Sequence, residues 1–276
     1  MKGAIYDRIS VRTYLKRKLI KLEKEMLNDL VDELDQLDGP FGHKLRFFVH
    51  HQDGNLDDEA KRIGTYGFIK NAPSFMGAVV KNEFSGIIDF GYIFEHAILL
   101  LTKKGYGTCW LAGSFDRHAF DDKISNDEVI PAISPIGIPE DHMSLRERAI
   151  RLAIKANRRK SFEEMFYIGD ISHPLKEGSH HVLEDALKLV QLAPSASNKQ
   201  PWRIIIENKN VHFYLERTPN YNATRTFVTQ ALDIGIAMKH FEVGLTSSNI
   251  SFTLKRTPYP APTTFEYITT YQLDIK

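Results

Sequence analysis

The sequence predicts a mixed α+β fold that is built twice within one chain of 276 residues. Two observations predict the fold class: some segments repeat apolar residues with a helical period, and short segments rich in aromatic and β-branched residues lie between them. A third observation predicts the duplication, because the same order of helices and strands recurs later in the chain. We therefore divide the chain into half one, residues 1–160, and half two, residues 161–276.

Half one begins with a predicted helix over residues 17–37, where leucines recur at helical spacing. The motif "GPFG" follows and ends this helix, because Pro and Gly interrupt helical hydrogen bonding. A long buried helix is predicted over residues 89–105, with Gly105 as its C-terminal cap. Strands are predicted over residues 45–51, 74–80 and 129–139.

Half two repeats this order. Its elements are predicted over residues 181–193, 202–207, 211–217, 229–245 and 265–275. The long helices of the two halves also share one Asp/Gly/His spacing, formed by Asp89, Gly91 and His96 in half one and by Asp233, Gly235 and His240 in half two. Each Asp is interpreted as a cap at the start of its helix. The shared element order and the shared pattern together favour an internal duplication.

Composition excludes several functional classes. A formal net charge of +1 argues against nucleic acid as the main partner. The longest apolar run, near residues 97–101, is too short to span a bilayer, and the N-terminus lacks the apolar stretch of a signal peptide. The single cysteine, Cys109, allows no intramolecular disulfide and is interpreted as a buried structural residue. We expect a cytoplasmic protein without a nucleic-acid or membrane partner.

The stretch "APSASNKQPW", residues 193–202, places a polar turn between an apolar helix and an apolar strand. Pro194 ends the helix because it cannot continue the hydrogen-bond ladder. Ser195, Ser197, Asn198 and Gln200 bring hydroxyl and amide groups that donate and accept hydrogen bonds. Such a turn suits the edge of a flat heteroaromatic ring, and a polar loop that binds nothing is the alternative.

Two further stretches carry arginines. In "YDRISVRTY", residues 6–14, Arg8, Ser10 and Arg12 occupy alternate positions, so in an extended segment they point the same way. Guanidinium forks and a hydroxyl suit a phosphate, with an ordinary exposed arm as the alternative. In "ANRRKSFEEMF", Arg158 and Arg159 form a basic pair, for which a solvated turn is the alternative.

The stretch "GYGTCWLAGSF", residues 105–115, combines glycines that permit close backbone approach with Trp110, which offers an aromatic wall. The adjacent histidine pairs elsewhere in the chain lack a recognisable zinc-ligand spacing. No metal site is therefore assigned.

Together and in this order, these stretches resemble the nitroreductase family of FMN enzymes. Residues 193–202 match the family's "APSxxNxQPW" turn without a gap, and the arginine arm, the "GxGTCW" segment, the strand end at residues 134–139 and the basic pair also match. The resemblance implies a nitroreductase-like fold and an oxidoreductase that passes hydride from NADH or NADPH to flavin N5. The acceptor would be an unidentified electrophilic small molecule, such as a nitroaromatic, quinone or enone.

The resemblance also implies where the flavin binds. Family members are homodimers in which the arginine segment comes from one subunit and the turn from the other. Here the corresponding place in half one, "LDQLDGPFGHKLRFF", lacks the turn, which appears only in half two. We therefore expect one FMN site between the halves, in a chain that imitates the family dimer as a monomer. A flavin carrier, or a degenerate member without turnover, is the alternative function.

The resemblance assigns roles to individual residues. Arg8 and Arg159 would meet the phosphate with Ser10 nearby, Arg12 would lie near the N1/O2 edge of the ring, and Ser197 and Asn198 would hold its polar edge. No protein residue is assigned as catalytic, because the flavin would carry the chemistry. The residues assigned to FMN binding are Arg8, Ser10, Arg12, Trp110, Leu111, Ala112, Gly113, Arg158, Arg159, Pro194, Ser195, Ser197, Asn198 and Gln200.

Overall fold

A computed structural model describes residues 1–56, 63, 65, 68–140, 158–221, 226–256 and 264–275. Both helices and strands occur along these ranges, which confirms the mixed α+β class. The helices are α1 (Lys2–Asp7), α2 (Lys21–Leu34), α3 (Phe84–Lys103), α4 (Phe162–Met165), α5 (Glu184–Leu192) and α6 (Thr229–Ser247), with short 3-10 helices at Arg117–Lys123 and Ala196–Asn198. The strands are β1 (Arg46–His51), β2 (Ser74–Lys81), β3 (Gly107–Thr108), β4 (Glu128–Val129), β5 (Ile133–Gly137), β6 (Phe166–Ile168), β7 (Trp202–Glu207), β8 (Asn210–Leu215), β9 (Ser251–Lys255) and β10 (Glu266–Asp274).

Each half of the chain forms its own sheet. The order in half one is β1-β2-β5-β3, with β4 paired to the end of β2, and the order in half two is β6-β7-β8-β10-β9. These pairs are antiparallel except for β6 with β7. In both halves the first long strand pairs with the second, and the second pairs with the last. The last strand also pairs with an earlier one, which is β3 in half one and β9 in half two. The halves thus share one topology, while their origin by duplication stays a prediction.

The two long helices, α3 and α6, cross at the centre of the molecule. A Cβ atom built on Gly235 would lie 2.6 Å from the Tyr92 backbone N, and closer still to the Ile88 carbonyl O. A Cβ on Gly91 would likewise collide with the Leu232 backbone, at 2.9 Å from its carbonyl carbon. The glycines of the repeated pattern are therefore the points where the two helix backbones touch.

One hydrophobic core runs through both halves, because α3 and α6 contribute to it from opposite sides. By length and composition α3 could cross a membrane, yet 72% of its most apolar window is buried inside this molecule. The helix is thus packed as a core element against α6 and the half-one sheet.

The interpretation of the two aspartates as helix caps is wrong. Helix α3 begins at Phe84, so Asp89 lies in its second turn, where its carboxylate accepts the backbone N–H groups of Phe41 and His43. Asp233 lies equally deep in α6 and accepts the N–H of Ala196. Each Asp therefore holds the loop that precedes the first long strand of its own half.

Several boundaries follow the sequence closely and others do not. Strand β7 has the predicted bounds, and Gly105 follows α3 with φ +83, as a C-terminal cap requires. Helix α2 begins at Lys21 instead of residue 17. The strand predicted over residues 129–139 is divided into β4 and β5, because Pro131 between them has no N–H to pair. The predicted boundary between the halves follows residues 141–157, which lie outside the described residues.

Candidate functional site between the halves

The N-terminal arm runs along the edge of the half-one sheet. Ser10 bridges to Thr108, and Tyr14 bridges to Pro139. Tyr14 is fully buried and its hydroxyl donates to the Val11 carbonyl at 2.7 Å. Ser10 and Arg12 line a cavity, and they alternate along the arm with Val11, which is buried in the core.

The next segment follows α3 and carries Trp110. Leu111 is buried and pairs through its backbone with Ile133, which anchors the segment to the sheet. The Trp110 indole packs on Phe94, with 4.9 Å between ring centroids, and its Nε1–H donates to Glu95 at 2.8 Å. Ala112 and Gly113 follow at the cavity wall together with the Trp110 ring.

Helix α5 ends at Leu192, and the polar turn begins directly after it. Ser197, Asn198 and Gln200 have φ values of 51, 54 and 48, which place three residues that are not glycine in the left-handed region. Such a backbone persists only where its surroundings fix it. Here the Ala196 N–H donates to Asp233 at 2.9 Å, and the Gln200 N–H donates to the Ser195 hydroxyl at 2.9 Å.

The basic pair lies beside this turn. The Asn198 side-chain NH₂ donates to the Arg158 carbonyl at 2.8 Å, and Gln200 accepts the Lys160 backbone N–H at 2.9 Å. Arg159 donates to the Asn198 side-chain oxygen at 3.3 Å. Asn198 and Gln200 therefore join the turn to residues 158–160. Their expected contact with a bound ring, and that of the basic pair with its phosphate, stay predictions.

Arg8 lies behind the cavity wall, where its side chain is 9% exposed. Its Nε is 4.0 Å from Glu95, a fully buried carboxylate that also contacts His240 at 3.0 Å. The other ring nitrogen of His240 is 2.8 Å from the Leu189 carbonyl, an obligate acceptor. Glu95 thus contacts side chains from both halves. The contact between Arg8 and a phosphate stays a prediction.

The three segments meet around a cavity of about 310 Å³ between the halves. The cavity is lined by several of the residues predicted from the sequence, namely Ser10, Arg12, Trp110, Ala112, Gly113, Pro194, Ser195 and Ser197. The other predicted residues do not line the cavity themselves. They are Arg8, Leu111, Arg158, Arg159, Asn198 and Gln200. Further lining residues that sequence reasoning missed are Ser114, Ala196, Tyr221, Thr229, Leu232, Asp233 and Ile236.

One face of α6 forms part of the cavity wall. Thr229, Leu232, Asp233 and Ile236 follow the i, i+3, i+4, i+7 spacing of a single helix face, but this spacing alone does not show which face of α6 borders the cavity. Asp233 is 2% exposed, and burial raises the pKa of its carboxyl group to about 8 against the opposing effect of the Ala196 N–H. This carboxyl group is therefore largely neutral at pH 7.

In half one, the place that corresponds to the cavity beside Asp233 is filled by a loop of the chain itself. Asp89 accepts the Phe41 and His43 N–H groups at 2.8 and 2.9 Å, and Gly39 packs directly on its carboxyl group. A Cβ atom on Gly39 would lie 2.6 Å from Asp89 Oδ1. The loop "GPFGH" thus closes over Asp89, whereas the half-two turn leaves Asp233 at a cavity. Within the described ranges, no three His, Cys, Asp or Glu side chains come together as metal ligands would.

Comparisons with known proteins show the family and the fold of this chain. A family model described as "Putative TM nitroreductase" matches residues 1–245. A crystal structure of a putative nitroreductase from Thermotoga maritima is similar to this chain with a TM-score of 0.62 and 21% identity, covering 99% of this chain and 94% of that one. At this identity the likeness shows the fold.

A curated relative from Mycobacterium tuberculosis, named "Putative NAD(P)H nitroreductase acg", is 32% identical over 80 residues. The match covers 29% of this chain and 24% of that protein, so it spans about a quarter of the relative's length.

Proposed function

Because the chain belongs to the family described as "Putative TM nitroreductase", we propose that it is an FMN-dependent oxidoreductase with one flavin site in the cavity between its halves. NADH or NADPH would reduce the flavin, and an electrophilic small molecule would accept the hydride. The observation that carries the proposal is the meeting of three sequence-distant segments, the arm, the Trp110 segment and the polar turn, around one cavity.

The residues of the cavity fit a flat ring with polar edges. A volume of about 310 Å³ is within the range of small-molecule sites. Trp110 and Ile236 supply apolar surface, and Ser195 and Ser197 supply hydroxyl groups at one side. Thr229 Oγ1 and Asp233 Oδ2 on α6 are buried without a hydrogen-bond partner among the described residues, which favours a polar ligand.

Each wall has a distinct task in this proposal. Arg12 supplies positive charge, which favours an electron-rich state of a bound ring. Ser195 and Ser197 orient the ring edge, and Trp110, held by Glu95, excludes water from one side. Arg8, Ser10 and Arg159 remain the proposed phosphate contacts, since Ser10 lines the cavity and Arg159 lies beside the turn. The flavin, when bound, supplies the hydride chemistry itself.

The proposal extends to partners and compartment. A net charge of +1 and a cavity of small-molecule size favour a small-molecule electron acceptor over nucleic acid or a membrane. The complementary walls from two halves of one chain support a monomer, and we propose the cytoplasm as its compartment.

Flavin binding tests the site with a matched pair of arginines. Arg12 lines the cavity, whereas Arg17 on the same arm is exposed and paired with Glu23 at 2.7 Å. Loss of a charge-assisted contact removes about 1.5–3 kcal/mol, so Arg12→Ala should weaken FMN binding about 10-fold to 100-fold. Arg17→Ala should leave it unchanged. Flavin-fluorescence quenching measures both, and equal affinities would place the site elsewhere.

Turnover is tested by adding NADH and then NADPH to the FMN-loaded protein without oxygen. Bleaching of the flavin absorbance by either nucleotide supports the oxidoreductase. A flavin that stays oxidised with both nucleotides identifies a carrier without turnover. A protein that does not take up FMN contradicts both functions.

A further inference from the structure

The two aspartates of the repeated pattern are bonded differently. Both carboxylate oxygens of Asp89 accept a backbone N–H, from Phe41 and from His43. Asp233 accepts only one, from Ala196 through Oδ1, and its Oδ2 atom is buried with no hydrogen-bond partner among the described residues. The difference follows from the loops: the half-one loop closes over its Asp, and the half-two turn does not.

A second buried polar atom lies on the same helix face. Thr229 precedes Asp233 by four residues on α6, and its Oγ1 is also buried without a partner in the described part of the chain. The two residues are 3% and 2% exposed, and both line the cavity. A buried polar atom without a hydrogen bond destabilises a protein by about 1–3 kcal/mol. Two such atoms on one cavity wall indicate a site built to bond a ligand.

The surroundings of Asp233 hold its carboxyl group in the protonated form. Burial raises its pKa to about 8, and the Ala196 N–H is the one group that opposes this shift. The other titratable side chains of the cavity wall are Arg12 and Tyr221. On α3, both carboxylate oxygens of Asp89 accept backbone N–H groups, and the Tyr92 hydroxyl donates to Glu242. Since Oδ1 accepts from the turn, the proton is carried by Oδ2, which then acts as a donor.

We propose that Asp233 is a ligand-binding residue of this cavity, whose protonated Oδ2 donates a hydrogen bond to a carbonyl oxygen or ring nitrogen of the bound flavin. The inference rests on the function proposed above. Ionisation of Asp233 removes this donor and places a negative charge beside the acceptor atoms of the ring. Flavin binding therefore weakens as the pH rises through the pKa of Asp233.

Flavin affinity at two pH values tests the proposal directly. The dissociation constant of FMN is measured by fluorescence quenching at about pH 7 and about pH 9. With a midpoint at about 8, the fraction of protonated Asp233 falls about 10-fold between them, so the wild-type dissociation constant should rise about 10-fold. Asp233→Asn keeps an acceptor for the Ala196 N–H and an uncharged donor toward the cavity, so its affinity should change much less.

Asp89→Asn is the matched control, because Asp89 is the equivalent residue but does not line the cavity. This variant should keep the wild-type rise between the two pH values. If Asp233→Asn shows the same rise as the wild type, or if wild-type affinity is equal at both pH values, Asp233 has no such role while flavin binding stands. A wild-type protein that binds no FMN at either pH overturns the proposed function as well. If a variant fails to fold, a wild-type profile without a rise still overturns the role of Asp233.

Discussion

The crossing of α3 and α6 makes Gly235→Ala the most informative single substitution for the fold. The added Cβ would lie 2.6 Å from the Tyr92 N and closer to the Ile88 O, both backbone atoms that no side-chain rotation can move away. Ordinary contact begins at 3.4 Å, so the two helices must separate by about 0.8 Å or more at this point.

The magnitude follows from two opposing effects. Alanine has a higher helix propensity than glycine, by about 1 kcal/mol. Overpacking in a closely packed core destabilises by about 1–3 kcal/mol, and more when rigid backbone must move. Because both colliding atoms belong to a helix backbone, we expect the upper part of this range and a net loss of about 2 kcal/mol. The same separation should also loosen the wall formed by α6 and weaken FMN binding.

Urea unfolding, followed by circular dichroism, measures the free energy of unfolding of the variant. Gly3→Ala in α1 is the control, because a Cβ there meets no atom within 4 Å and should leave stability unchanged or slightly raised. If Gly235→Ala is as stable as Gly3→Ala, the two helices do not touch at this glycine and the account of the crossing is refuted.

Two further predictions concern buried carboxyl groups. Glu95→Ala removes the acceptor that Trp110 and His240 share. The free energy of unfolding, measured with urea, should therefore fall by about 3–5 kcal/mol. A loss below about 1 kcal/mol would contradict the network. Burial raises the pKa of the Asp89 carboxyl group from 3.8 to about 6 in the folded protein. The stabilisation that results from this shift is complete below pH 3.8 and is lost as the pH rises through about 6. The free energy of unfolding of the wild type, relative to that of Asp89→Asn, should therefore fall by on the order of 2–3 kcal/mol between about pH 4 and about pH 7. An equal pH dependence in both proteins would show that the titration of Asp89 does not affect stability.

The elements that sequence reasoning located best are long and buried. Strand β7 and helix α6 carry an apolar period or run long enough to identify, so their positions were predicted closely. The missed elements are short or at sheet edges. Helix α1 has six residues, β6 has three, and β9 is an edge strand with no fully buried residue. Their structure is decided by pairing with distant segments, which no local pattern contains.

The site was predicted unevenly for a related reason. The turn at residues 193–202 is a local sequence feature, and its left-handed residues explain why small and amide side chains occur there. That it faces the arm and Trp110 followed from family resemblance, because spacing alone cannot show which segments meet. Thr229 and Asp233 were missed because only the crossing of the helices decides which face of α6 borders the cavity.

The central claim is that this chain builds one flavin site between its two halves, and the stoichiometry of FMN binding tests it most directly. Titration of the purified, flavin-free protein with FMN, followed by flavin-fluorescence quenching at protein concentrations well above the dissociation constant, gives the number of sites. We predict one FMN per chain, because Asp89 is closed off by its loop whereas Asp233 borders the cavity. Two FMN per chain, or none, would contradict the account.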